Sequence, residues 1–327
     1  MTCEFPTPDG RARERPIWHG RGMPHHRGAV LSAVASGALF GTAGTAAAFA
    51  PATASPLGIG WVRIAGGALV LTVVTGLLGR RLGEIRSAVR RPLLWVAAAG
   101  AAGYQVCFFA ATRNASVALA TLVAVGSAPL FSGFLGRLTL GHRLPRIWYA
   151  ATAVALVGLV IDSWSGITEG ELGPAVGLGV LLAIGSGVSI ATYTVAATRL
   201  MEDGMGQLPL TAAAYLVGAA LLVPVAVTQP HAWVVEPSGI AVGVYLAVAT
   251  MALANLFYLR GLARLRPGPT ATLTLMDPVV AGLLGVLVLR ERPAGAAYVG
   301  FALVLVGLGV QAWASATRGE EALPAVG

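Results

Sequence analysis

The chain has 327 residues, of which 56% are hydrophobic and only 11% charged, with a mean hydropathy of +0.76. A soluble domain carries about 25% charged residues, so soluble multidomain architectures are excluded and a polytopic membrane protein remains. The net charge of +8 would suggest nucleic acid in a soluble protein, but all 22 basic residues are arginines and most fall between apolar runs, where they set topology.

Residues 1–27 are polar, with Pro, Gly and five arginines, and are expected to be a disordered cytoplasmic leader. The run 28–50 ends in an Ala48-Phe49-Ala50 triplet that resembles a signal cleavage site. Pro51 and the many later apolar runs argue instead for a first transmembrane helix. The apolar runs that follow are 56–79, 92–112, 115–136, 147–163, 174–196, 209–228, 239–259, 269–289 and 294–315. Each is long enough, or nearly so, to cross a bilayer as a helix. The reading is all-α, with ten transmembrane helices and a short tail at 316–327.

The chain repeats itself. A shift of 149 positions lays Pro129 on Pro278, Gly133 on Gly282, Gly136 on Gly285, Leu140 on Leu289, His142 on Glu291 and Arg143 on Arg292. The same shift lays Val157-Gly158-Leu159 on Val306-Gly307-Leu308. Two copies are expected, 28–163 and 174–315, with five helices each. An odd number of spans per copy makes the copies run in opposite directions. With the N-terminus inside, cytoplasmic segments hold 18 arginines and outside loops 3, a strong orientation bias that places both termini in the cytoplasm. Inverted repeats are the architecture of secondary transporters, which bind substrate near the midplane where the repeats meet.

Several short motifs, in order and duplicated, resemble the EamA-type branch of the drug/metabolite transporter superfamily. They are Leu39-Phe40-Gly41-Thr42, Trp61-Val62-Arg63, Phe108-Phe109-Ala110-Ala111, and the two span ends Leu140-Gly141-His142-Arg143 and Leu289-Arg290-Glu291-Arg292. The resemblance covers roughly residues 28–315. It implies ten helices in the inner (plasma) membrane and movement of small metabolites, often outward. His142 stands where the family has glutamate, so the first copy departs from the family pattern there.

Asp277 is the one acid set well inside an apolar run, directly before Pro278. An ionisable group at such depth is costly and faces a cavity or a partner. It is read as a proton-binding or amine-binding carboxylate, against the alternative of a packing acid beside a proline kink. Arg63 is an anion anchor or a partner for Asp277, with a snorkelling arginine as the alternative, and a structural or gating role is favoured over substrate choice. Tyr104, Gln105, Tyr193, Tyr215, Asn255 and Tyr258 are polar-tipped residues inside spans, and as a set they suit cavity lining. Trp95, Trp148, Trp164, Trp233 and Trp313 lie near span ends and read as an interfacial belt. Ser132-x-x-x-Gly136 and Ala281-x-x-x-Gly285 read as packing pairs.

The expected function is a secondary transporter, an exporter in the family's manner, of an amino acid, amine or drug-like compound, with protons as candidate coupling partners. No cofactor, metal or nucleic acid is expected, and the lipid bilayer is the surrounding partner. The alternative is an integral-membrane enzyme acting on a lipid-like substrate. Such enzymes gather acids or histidines at one face to hold metal and phosphate, whereas Glu169, Glu171, Glu202 and Asp203 are scattered.

Overall fold

The computed structural model describes residues 24–77, 82–115, 117–142, 144–168, 175–290 and 295–317. Among these every regular element is helical and none is a strand. In chain order they are α1 (Pro24–Ala47), α2 (Pro56–Leu77), a short α3 (Leu82–Val89), α4 (Pro92–Asn114), α5 (Val117–Leu140) and α6 (Arg146–Thr168). There follow α7 (Val176–Glu202), α8 (Gln207–Leu221), α9 (Val223–Ala226), a 3₁₀ turn (Ala232–Val235), α10 (Pro237–Tyr245), a π-helical stretch (Leu246–Leu253) continuing into α11 (Ala254–Leu262), α12 (Pro267–Leu273), α13 (Met276–Leu287) and α14 (Gly295–Thr317). The polar leader up to residue 23, Arg143, Glu169, Glu171, Glu291, Arg292 and the tail beyond residue 317 lie outside the described residues.

Eight helices among the described residues are long and apolar enough to cross a membrane, α10 to α11 counting as one and α12 to α13 as another. Of the other two apolar helices, α8 (Gln207–Leu221) is shorter, and α6 is apolar over Arg146–Ile161, the part of it whose side chains are described. The sequence led us to expect 209–228 as one span, but α8 stops at Leu221 and the chain turns before α9. Pro224 explains the stop, since its ring lacks a donor and collides with the carbonyl one turn back.

A proline also breaks the 269–289 run. Pro278 cannot donate to the Thr274 carbonyl, which instead accepts from Asp277 N at 3.0 Å, and α12 ends before α13 begins. The equivalent Pro129 sits inside an uninterrupted α5.

Close packing is made by small residues, as suits helices that meet in lipid. A Cβ built on Gly158 of α6 would lie 2.6 Å from Gly300 O and 2.7 Å from Val304 N of α14. One on Gly307 of α14 would lie 2.7 Å from Ala151 O and 2.8 Å from Ala155 N of α6. The contacts run in opposite order along the two helices, so α6 and α14 pack antiparallel. Shifting Gly158, Ala151 and Ala155 by 149 positions gives Gly307, Gly300 and Val304, so the two contacts are the same contact made twice.

The other helices interlock in the same way. α7 packs on α4 and α5, and α1 packs on α11 and α13. α2 crosses α8, and α5 crosses α12. The largest apolar cluster joins α2, α4, α7, α8 and α11 through residues such as Ile64, Leu94, Leu200 and Leu259.

Two of the tryptophans correct the expectation of an interfacial belt. Trp148 and Trp233 are buried, whereas Trp95 and Trp313 are exposed. Trp148 is wedged where Gly133 of α5 and Gly268 of α12 leave room for its ring, and Trp233 packs beside Gly58 and Gly239. The side chain of Trp164 lies outside the described residues.

Candidate functional site

A cavity of about 90 Å³ opens at the centre of the bundle, bounded by α1, α2, α4, α5, α7, α8, the π-helical stretch, α11 and the α12–α13 break. All eight polar residues singled out from the sequence line it: Arg63, Tyr104, Gln105, Tyr193, Tyr215, Asn255, Tyr258 and Asp277.

The helix break shapes the acid's surroundings. It turns Asp277 from a mid-span residue into a first-turn residue of α13. There the dipole of α13 favours negative charge. Its first-copy counterpart Ala128 also lines the cavity, from within the continuous α5. Asp277 is half-buried, and among the described residues nothing donates a hydrogen bond to its carboxylate.

Arg63 is buried and projects from α2 into the same space. One guanidinium nitrogen donates to Thr250 O at 3.3 Å, inside the π-helical stretch. The guanidinium also lies 5.9 Å from the centre of the Phe40 ring, within cation–π range. Its Nε is buried without a hydrogen-bond partner. The ion pairs formed among the described residues all involve Glu202 or Asp203. Arg63 and Asp277 therefore face one void without forming a contact pair.

The amides and tyrosines divide into held and free groups. Tyr258 Oη shares a 2.7 Å hydrogen bond with Thr194 Oγ1, and Asn255 Nδ2 donates to Met251 O at 2.9 Å. Tyr193 and Tyr215 rings stack with centroids 6.1 Å apart. Tyr104 stacks on Phe108 at 5.6 Å. Gln105 points Nε2 at the Met251 sulfur, 3.9 Å away, and leaves Oε1 buried with no partner. The sequence repeat sets Gln105 against Ala254. A π-turn takes up one more residue than an α-turn, and it is the next residue, Asn255, that shares the cavity.

Sequence reasoning missed Phe40, Ser132 and Thr274 as cavity residues. Phe40 stood in a quoted motif with no role assigned to it. Ser132 was read as packing; its Oγ is buried and lacks a partner. Among the described residues no cluster of three or more His, Cys, Asp or Glu could hold a metal.

His142 lies away from the cavity, just past the end of α5, where its Nε2 is 3.5 Å from Glu202 Oε1 at the end of α7. Burial pushes the imidazole below its ordinary range, the Glu202 carboxylate opposes this, and Arg266 adds to it.

Known proteins share both sequence and architecture with this chain. A Bacillus subtilis (strain 168) protein described as the uncharacterized transporter YwfM is 32% identical over 271 residues, 82% of this chain and 88% of its own length. A Streptantibioticus cattleyicolor protein described as a probable terminal-alkyne amino-acid exporter is 27% identical over 255 residues, 77% of this chain and 82% of its own. A protein of known crystal structure superimposes with a TM-score of 0.75 at 25% identity, over 90% of this chain and 99% of that one. The pattern of the EamA-like transporter family matches twice, over residues 27–164 and 177–311. With both matches inside one helical bundle of membrane-spanning length, the chain is a multi-pass membrane protein that belongs to the EamA-like transporter family.

Proposed function

We propose that this protein is a secondary transporter that exports a small metabolite by alternating access, with Asp277 as the group that exchanges a proton for substrate. The observation that carries the reading is the central cavity, in which one acid and one arginine from different halves of the chain face the same space. The halves are five-helix repeats, 28–163 and 174–315, inserted in opposite directions as ten spans. The antiparallel pairing of α6 with α14 through equivalent glycines supports this, as does the double match to the family. The cavity then lies on the pseudo-two-fold axis, where each half contributes equivalent elements.

Two features beside the cavity suit movement: the α12–α13 break and the π-helical stretch that Arg63 grips. Helix segments joined at such points reorient without dismantling a whole helix. The arginine bias places both termini in the cytoplasm, with the protein in the inner (plasma) membrane. Outward movement is supported by the exporter among the relatives.

The test is transport in reconstituted vesicles with and without a pH gradient, using a panel of amino acids, amines and sugars. Wild type should move at least one compound, faster with the gradient, and Asp277→Asn should insert normally but lose the gradient effect. Equal gradient stimulation in both would remove Asp277 from the coupling step. A compound altered covalently instead of moved would favour the membrane-enzyme alternative.

A further inference from the structure

We infer that the α3–α4 corner is a docking site for an anionic phospholipid, whose phosphate is held by Arg86, Arg90 and Arg91 and whose acyl chains run along an outward-facing stripe of α4. This site lies on the outer surface of the bundle, apart from the central cavity and independent of what that cavity carries.

The corner has two faces. In α3, Ile85 and Ala88 are buried in the largest apolar cluster, where α3 packs on α8. Residues three apart share one face of a helix, so that face belongs to the bundle, and Arg86 is exposed beside it. The chain then leaves the helix. Arg90 N and Arg91 N donate back to Ser87 O and Ala88 O at 3.2 and 2.9 Å, and both arginine side chains are exposed. None of the three arginines makes an ion pair or a side-chain hydrogen bond among the described residues. The acids near α3 are engaged elsewhere. Glu202 and Asp203 pair with Arg199, and Glu202 also with His142. Glu84, the one acid of α3, faces the turn between α7 and α8, its Oε2 3.8 Å from a Cβ built on Gly206.

The surface that continues from the arginines is apolar. Pro92, Trp95, Val96 and Ala99 of α4 are all exposed, and their i, i+3, i+4, i+7 spacing makes one stripe. On a helix of membrane-spanning length such a stripe faces acyl chains. Trp95 Nε1 donates to Val89 O at 2.9 Å, which holds the indole at the head of the stripe, the headgroup level that tryptophan prefers. The three arginines therefore stand where hydrocarbon ends and phosphate begins.

Charge selects the lipid. A zwitterionic headgroup brings its own ammonium, which the arginines repel, whereas an anionic headgroup brings net negative charge. Guanidinium pairs with phosphate through two parallel hydrogen bonds. Each basic residue beside an anionic lipid surface strengthens binding by about fivefold. A soluble phosphate would use the arginines and leave the stripe unused; a phospholipid uses both.

Quenching of Trp95 by brominated lipid tests this, with the full chain in phosphatidylcholine vesicles that contain a small fraction of brominated phosphatidylglycerol or of brominated phosphatidylcholine. The Trp95 signal is the difference between the wild type and Trp95→Phe. Brominated phosphatidylglycerol should reach half-quenching at a mole fraction lower by about fivefold or more. The combined variant Arg86→Gln, Arg90→Gln, Arg91→Gln should lose this preference, and Arg264→Gln, at another exposed arginine, should keep it. Should the combined variant fail to insert, the three single variants replace it, each with a weakened preference. Equal quenching by the two lipids in the wild type would overturn the site, as would a preference that survives loss of the arginines. An equal loss in Arg264→Gln would mean diffuse surface charge in place of a site. A preference abolished by excess inorganic phosphate at constant ionic strength would assign the arginines to a soluble anion and overturn the lipid assignment.

Discussion

The paired glycines of α6 and α14 give a perturbation whose sign and size follow from geometry. Alanine at Gly158 would bring its Cβ to 2.6 Å from Gly300 O and 2.7 Å from Val304 N. These are backbone atoms of a packed helix, so no side chain can swing away. The helices must part by several tenths of an ångström, and a gap of about 0.5–1 Å forfeits a quarter to a half of the dispersion attraction along the contact. Overpacking of this kind costs about 1–3 kcal/mol. Gly307→Ala meets Ala151 O at 2.7 Å and Ala155 N at 2.8 Å, so its cost should match. The two are also coupled: once one methyl has pushed the helices apart, the other meets less resistance, and the double variant should lose less than the sum. Gly309, on the same helix two positions further, has nothing within 4 Å of its built Cβ. Gly309→Ala should therefore raise stability by up to about 1 kcal/mol through helix propensity. Melting temperatures in detergent measure all four variants. Losses that add fully, or a Gly158 variant as stable as Gly309→Ala, would refute the reasoning.

Much of this site was legible in the sequence because the membrane makes polarity expensive. In a chain with 11% charged residues, a carboxylate or guanidinium inside a span has to face a partner or a cavity. That argument selected Asp277, and with the Trp61-Val62-Arg63 motif it selected Arg63, while its weaker form selected the tyrosines and amides. The same logic fails for Phe40, whose apolar ring looks like any lipid-facing or core residue until the Arg63 guanidinium is seen above it. Ser132 failed for another reason: a small residue four places from Gly136 satisfies the packing pattern, and packing does occur there, with Gly136 against Pro267. The helix break at Thr274 was only half visible. Pro278 announces a missing donor, but the equivalent Pro129 leaves its helix whole, so whether the freed carbonyl becomes a kink or a break depends on tertiary contacts. Here α1 presses on the freed carbonyl, with Gly37 against Thr274 O. The tryptophans failed most plainly, since position near a span end says nothing about which way the ring points, and Trp148 and Trp233 point inward.

The span ends yield two more outcomes. Gly141 and Arg290, 149 positions apart, both adopt left-handed backbone after α5 and α13, with φ of 68° and 59°. Gly141→Ala should therefore lower stability by about 1 kcal/mol and Arg290→Gly raise it by about 0.5 kcal/mol, the relief of strain exceeding the extra freedom of unfolded glycine; melting temperatures that shift in the same direction would mean that the two turns are not equivalent. His142 gives a pH dependence. Burial lowers its affinity for protons in the folded chain, against the pull of Glu202, so on acidification the unfolded chain takes up the proton first. The stability tied to this group is complete above the ordinary histidine pKa of about 6.5 and is lost as pH falls from there through the folded value. His142→Gln should flatten the fall in melting temperature between about pH 7.5 and about pH 5.5. A steeper fall in the variant would mean that protonation strengthens the folded state, and that the bond to Glu202 outweighs the burial of the imidazole.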